Sequence, residues 1–216
     1  VNNIMTERLA IIGSGDLGFQ ILHHAQNIDK YVSVGFFDDN FIVGEMRHGK
    51  PIIGGFKDVF SCYENGEFDC LMIGIGYNHF DLRAVIFEKF FGKIPFAKII
   101  SKNAIIDPSS KIASGVIIYP GCIVDANVII SENVLLNIGC VVAHDSFIGK
   151  HSFLSPCVKI AGFVKVQEKV NLGTGTVLID NITISDNIRT GAGSVVVNNL
   201  YDKGLYVGIP ARFNKP

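Results

Sequence analysis

Two titratable residues stand side by side in the run "VVAHDSFI", Val141 to Ile148, where every other residue is apolar or small. A neutral imidazole at His144 can accept a proton. A carboxylate at Asp145 orients that ring or stabilises the imidazolium it becomes. A lone His-Asp pair is more often a solvated turn than an acid-base device, so the surrounding pattern has to decide between the two.

A second group suited to chemistry lies near the start. In "AIIGSGDLG", Gly13, Gly15 and Gly18 have the spacing G-x-G-x-x-G between an expected strand and an expected helix. Backbone amides at a helix N-terminus attract phosphate, and glycines let the chain approach it closely. Ser14 lies inside this loop, and Asp16 is placed to cap the helix. In "GFFDDN", Asp38 and Asp39 follow at the end of the next expected strand, about 20 residues on, where carboxylates accept hydrogen bonds from a ribose or a base. "MIGIGYN", with Gly74, Gly76 and Asn78, either completes that crevice or forms a turn. A nicotinamide cofactor would suit such a loop, but no hydride-acceptor pocket is evident elsewhere. A nucleotide-bearing substrate is the more economical occupant.

The elements that must carry these groups differ between the two halves. "RLAIIGSG", "YVSVGFFDDN" and "FDCLMIGIG" read as buried strands, "DLGFQILHHAQN" and "NHFDLRAVIFEKFF" as helices, and "FAKIIS" as a further strand. Alternating strand and helix predicts a Rossmann-like parallel sheet over residues 1–97.

Over residues 98–216 the period becomes six. Hexads counted from Ile100 to Val196 begin with a branched aliphatic in 16 of 17 cases, Thr190 being the exception. The fifth position is mostly small or β-branched. Eleven fourth positions are Gly or Asn, the residues that enter the left-handed backbone region at least cost. Neither a helix nor a hairpin sheet has this period; a triangular β-solenoid does. Three hexads per turn stack residues 18 apart, and the repeat predicts nearly six coils, roughly 27 Å tall at about 4.7 Å per strand.

This register bears on the opening pair. His144 is a third-position residue at an outward corner, with Ala126 and Gly162 stacked 18 residues to either side, so the imidazole borders a hollow. Five successive fourth positions, Asp145, His151, Cys157, Phe163 and Lys169, abandon Gly and Asn while the core register persists. Local rules tend to fail at functional sites. Acid-base work at His144 is therefore the preferred reading.

Composition narrows the function further. In 216 residues, 48% hydrophobic and 18% charged, 19 basic residues face 20 acidic ones, so nothing in the net charge favours nucleic acid or an anionic membrane. Five cysteines without a C-x-x-C pair argue against a disulfide framework or a zinc ribbon and for reduced thiols. Cys122 and Cys140 fall at stacked interior positions. With no signal peptide and no membrane span evident, the expected location is cytoplasmic.

Together, "IIGSGDLG", "GFFDD", "PIIGG", the hexads with "AHDSFIG", and "GLYVGIPAR" resemble the bacterial nucleotide-sugar acetyltransferases of the bacillosamine pathway and the related sialic acid O-acetyltransferases. The resemblance spans essentially the whole chain. It implies a left-handed β-helix, a homotrimer with sites between subunits, and acetyl-CoA as co-substrate. It also implies N-acetylation of a nucleotide-linked amino sugar in surface-glycan biosynthesis. His144 is the implied base and Asp145 its partner. Gly13, Ser14, Gly15, Asp16, Asp38 and Asp39 are the implied nucleotide contacts, and Gly162, Thr174, Gly191 and Ala192 lie on the implied acetyl-CoA path. Two departures stand out. Some relatives carry a second histidine nine residues after the base, where this chain has Phe153, and His151 is two positions off that register. Some relatives also pair the base with Glu, one methylene longer than Asp145.

Other classes remain open. The same resemblance leaves room for a sugar O-acetyltransferase. A zinc hydratase needs three protein ligands, whereas the solenoid supplies only His144 and His151, so no metal is expected. A binding oligomer would recognise a nucleotide sugar without turnover. His23, His24, His48 and His79 read as structural.

Overall fold

The computed structural model describes residues 6–214. The chain divides into two compact units after Ile99. No helix among the described residues is long and apolar enough to cross a membrane.

In the first unit, strand β1 (Glu7–Ile12) leads into helix α1 (Asp16–Ala25), and β2 (Tyr31–Phe37) follows. The apolar positions Leu17, Ile21, Leu22 and Ala25 recur at helical spacing, and all four are buried. A short hairpin, β3 (Met46–Arg47) and β4 (Lys50–Gly54), precedes helix α2 (Val59–Glu64), strand β5 (Cys70–Ile73) and helix α3 (Phe80–Phe90). The sheet order is β3-β4-β2-β1-β5, parallel except for the hairpin. Leu9, Ala10, Ile11, Phe36, Leu71 and Met72 are fully buried, as central parallel strands covered on both faces require.

Three local expectations are corrected. The hairpin and α2 were not anticipated, because "MRHGKPIIGG" is dominated by turn residues and α2 has only six residues. "FAKIIS" is not one strand: Phe96 bridges Leu71, while Ile99–Ile100 forms the first strand of the repeat. Asp16 does not cap α1. Gly15 holds the cap position with extended backbone and no side-chain bond, and Asp16 is the first helical residue.

The second unit is a left-handed parallel β-helix. Among its described residues, two-residue strands stack in parallel at a register of 18, as in Ile123 opposite Val141 and Val141 opposite Lys159. They form three faces, here called after the coil that contains His144. The first face includes Val141–Val142, the second Phe147–Ile148 and the third Phe153–Leu154. First-position aliphatics from Ile118 to Val196 and fifth-position residues such as Val134, Ser146 and Val164 are buried in one continuous column. Each fully buried Val, Leu or Ile stabilises by about 1.5–3 kcal/mol relative to exposure. Cys122 and Cys140 lie in this column, each sulfur directed at a backbone carbonyl.

At the top, Gly204–Val207 leaves the 18-residue register to pair in parallel with Ile188–Thr190, and Arg212–Phe213 returns antiparallel to it. Tyr206 and Ala211 cover the end of the column.

Candidate active site

The corner between the first and second faces carries the His-Asp pair. A chain turning there needs the left-handed backbone region, and the stacked residues Asn127, Asp145, Phe163 and Asn181 all adopt it, with φ between 57° and 59°. Asn tolerates this conformation; Asp does so less readily, and for Phe it is a strained state. The other substituted corners, His151, Cys157 and Lys169, do the same at 60°, 61° and 55°. The repeat has thus kept its backbone and changed its side chains.

His144 projects outward, its side chain 49% exposed, and Nδ1 lies 3.0 Å from Asp145 Oδ2. With the Nδ1 proton donated to Asp145, the unprotonated Nε2 is the nitrogen left to act as a base. Asn127 Nδ2 donates to the other carboxylate oxygen of Asp145 at 3.2 Å. Hydrogen bonds from His144 and Asn127 hold the Asp145 carboxyl below the usual carboxylate range.

The imidazole lies directly against Gly162. A Cβ there would fall 2.8 Å from Cε1 and 2.9 Å from Nε2, so the ring can occupy this position only beside glycine. The Phe163 ring stands edge-to-face with it, centroids 5.2 Å apart at 88°. Phe163 also donates its backbone N–H to the His144 carbonyl at 3.1 Å.

The remaining expected residues on the coil are dispersed within the chain. Thr174 and Ala192 are exposed and stack at the corner between the third and first faces, a different edge from His144. Gly191 follows the strand Ile188–Thr190 on the third face, donates to the Tyr206 carbonyl at 2.8 Å, and has no room for a Cβ beside Val207. Only Gly162 of this group lies beside the histidine. His151 is buried, its Nδ1 2.9 Å from Asn133 Nδ2, at the corner between the second and third faces. Phe153 is buried on the third face.

In the first unit, Gly13, Gly18 and Gly74 meet backbone to backbone. A Cβ on Gly18 would strike the Gly13 carbonyl, and one on Gly74 would come within 2.7 Å of it. This close approach fixes the loop before α1 and leaves Gly15 in open space at the helix N-terminus. Ser14 is buried, and both its N–H and its hydroxyl donate to Asp38 Oδ2, at 2.9 and 2.7 Å. Asn40 donates twice to Asp38 Oδ1, at 3.1 Å each. Burial pushes the Asp38 carboxyl up, but these bonds outweigh it and hold the group below its ordinary range. Asp39 Oδ1 accepts from Phe56 N at 2.7 Å. These carboxylates were expected to accept from a nucleotide. Asp38 instead spends both oxygens within its own chain, and Asp39 spends one.

One contact in this loop was missed. His48, expected to be a structural loop residue, places Nε2 3.0 Å from the Ser14 carbonyl and stacks on Phe19 at 4.6 Å. Nothing in the spacing of the first half brings position 48 to position 14. Asn127 and Phe163, by contrast, were discoverable: both stand 18 residues from Asp145 in the stacking register. Among the described residues, no three His, Cys, Asp or Glu side chains converge as a metal site would require.

Residues 8–90 match the family described as the PglD N-terminal domain. No curated protein sequence gives a significant match. Solved structures resemble the chain over nearly its full length. PerB from Caulobacter crescentus, solved with CoA and GDP-perosamine, is 28% identical, with 96% of this chain and 97% of that chain covered and a TM-score of 0.88. The acetyltransferase domain of PglB from Neisseria gonorrhoeae is 25% identical, with 97% and 100% covered and a TM-score of 0.86; the same domain has been solved with acetyl coenzyme A. WeeI from Acinetobacter baumannii shares the fold at 22% identity, with 97% and 100% covered and a TM-score of 0.77. With a PglD-type N-terminal domain followed by a left-handed β-helix of hexapeptide repeats, the chain is similar over nearly its full length to solved acetyltransferases, among them a GDP-perosamine N-acetyltransferase.

Proposed function

We propose that the protein transfers an acetyl group from acetyl-CoA to the amine of a nucleotide-linked amino sugar, with His144 as general base, in cytoplasmic synthesis of a bacterial surface glycan. The observation that carries the reading is the outward imidazole whose Nδ1 is bonded to Asp145 while Nε2 lies against Gly162. A neutral sugar amine attacks the thioester carbon, and Nε2 takes the amine proton as the tetrahedral intermediate forms. Collapse of that intermediate expels the CoA sulfur, which can recover the proton from the imidazolium. Backbone N–H groups suit the stabilisation of the oxyanion, and no acyl-enzyme is required.

Support for the substrates comes from PerB, solved with CoA and GDP-perosamine, and from the PglB domain, solved with acetyl coenzyme A. In this reading the loop of Gly13, Ser14, Gly15 and Asp16, with Asp38 and Asp39 behind it, receives the nucleotide. Asp38 shapes the loop and the backbone meets the phosphates. Gly162 serves the acetyl end of the CoA. Thr174, Gly191 and Ala192 contact the carrier from a neighbouring chain of a homotrimer, which accounts for Thr174 and Ala192 lying on a different edge from His144.

The test is acetyl-CoA-dependent thiol release with a panel of UDP-, GDP- and dTDP-linked 3-amino and 4-amino sugars. Turnover with an amino sugar, reduced roughly 10²- to 10⁴-fold in His144→Ala with CoA binding intact, is the expected result. Release only with hydroxyl acceptors would make it an O-acetyltransferase. Binding without release would leave a sensor, and full activity in the variant would remove His144 from the mechanism.

A further inference from the structure

Phe163 is costly where it stands. It is a bulky residue at φ 58°, in a backbone region that Asn127 and Asn181 occupy at little cost at the same corner one coil below Asp145 and one coil above Phe163. Burial does not repay the strain, since the residue is 52% exposed. Its placement adds one specific feature, the edge-to-face contact with the His144 ring at 5.2 Å and 88°. Asp145 fixes only one nitrogen of that ring, so the imidazole can still pivot about the Nδ1 bond. Gly162, in the coil above, limits this motion on one side of the ring and Phe163 on another. A strained backbone that serves a contact with a reactive group is the pattern seen where function holds a residue in place.

We propose that Phe163 is a positioning residue for His144. Its aromatic ring fixes the orientation of the imidazole, keeping the proton on Nδ1 and directing Nε2 to the acceptor. The proposal rests on His144 being the base. It also makes a demand that a coil-corner role does not: removing the ring should improve the fold and damage the chemistry.

The experiment compares Phe163→Asn, Phe163→Leu and Phe163→Tyr in the full chain. Phe163→Asn is expected to raise the unfolding midpoint by roughly 2–4 °C as the strain is relieved. It should also lower kcat roughly three- to tenfold with KM for acetyl-CoA unchanged. Phe163→Leu should show the same loss of kcat, and Phe163→Tyr should restore it. Nitrogen-15 NMR of the imidazole, recorded without substrate, should show the Nδ1-protonated tautomer weakened in the Asn and Leu variants and intact in Tyr. Wild-type kcat in Phe163→Asn, full rescue by Leu, or loss of activity that tracks loss of the native oligomer would each overturn the proposal, as would an unchanged tautomer. The NMR readout needs no acetyl transfer. An inactive wild-type protein whose tautomer still depended on Phe163 would sink the transferase reading and leave the contact standing.

Discussion

A methyl group added at position 162 would meet the His144 ring at Cε1 and Nε2, so Gly162→Ala moves the proposed base without touching the core. The atoms displaced belong to a half-exposed side chain, and the change in stability should stay within about 0.5 kcal/mol. Turnover should fall far more, on the order of 10²-fold, because displacing a reactive group by about 1 Å costs that much. Thermal melting and kcat measured on one preparation would check the split. The chain of bonds from Asn127 through Asp145 to His144 makes the same point from the other side. Hydrogen bonds from His144 and Asn127 hold the Asp145 carboxyl below the usual carboxylate range, so it stays ionised and keeps orienting the ring where a free carboxylate would begin to protonate.

The loop before α1 is an element whose shape depends on one carboxylate. Four donors from Ser14 and Asn40 converge on Asp38, and an amide at that position would turn an NH₂ group towards two of them. Asp38→Asn should therefore cost about 1.5–3 kcal/mol. The depressed folded-state value gives the sign of the pH dependence. The carboxylate contributes fully above the unfolded value near ~3.9 and is lost as pH falls through the lower folded one, so the difference between wild type and variant should shrink as pH falls below the unfolded value. Urea titrations at several pH values would show it. The glycine spacing announced this loop, and the periodicity of Leu17, Ile21, Leu22 and Ala25 announced the helix behind it. The partners of Asp38 were not legible. The composition that suits a ribose acceptor equally suits a carboxylate satisfied by its own chain, and only the fold distinguishes them. His48 belongs to the same class, since a hairpin made of turn residues carries no period by which to place it.

At the scale of the molecule, the hexad pattern revealed the coil almost completely, because one strict period fixes both the interior column and the stacking register. Thiol chemistry follows from that column. Cys62, Cys70, Cys122 and Cys140 are buried and Cys157 is exposed; burial pushes the Cys70 thiol up to about 12. One thiol per native chain should react promptly with a disulfide reagent, and Cys157→Ser should abolish that reaction. The same variant would give a clean background for assays that detect released CoA. The stacking register also sets a rule for changing the length of the protein. Removing 18 residues above Phe163 would shorten the coil by one storey and return every later residue to its own edge. Removing six would leave the interior just as well filled, yet would turn everything beyond the cut by a third of a revolution and carry Thr174 and Ala192 to a different side. In such a protein the sequence can lengthen freely only in whole turns, and an insertion that passes every test of core packing can still face its site the wrong way.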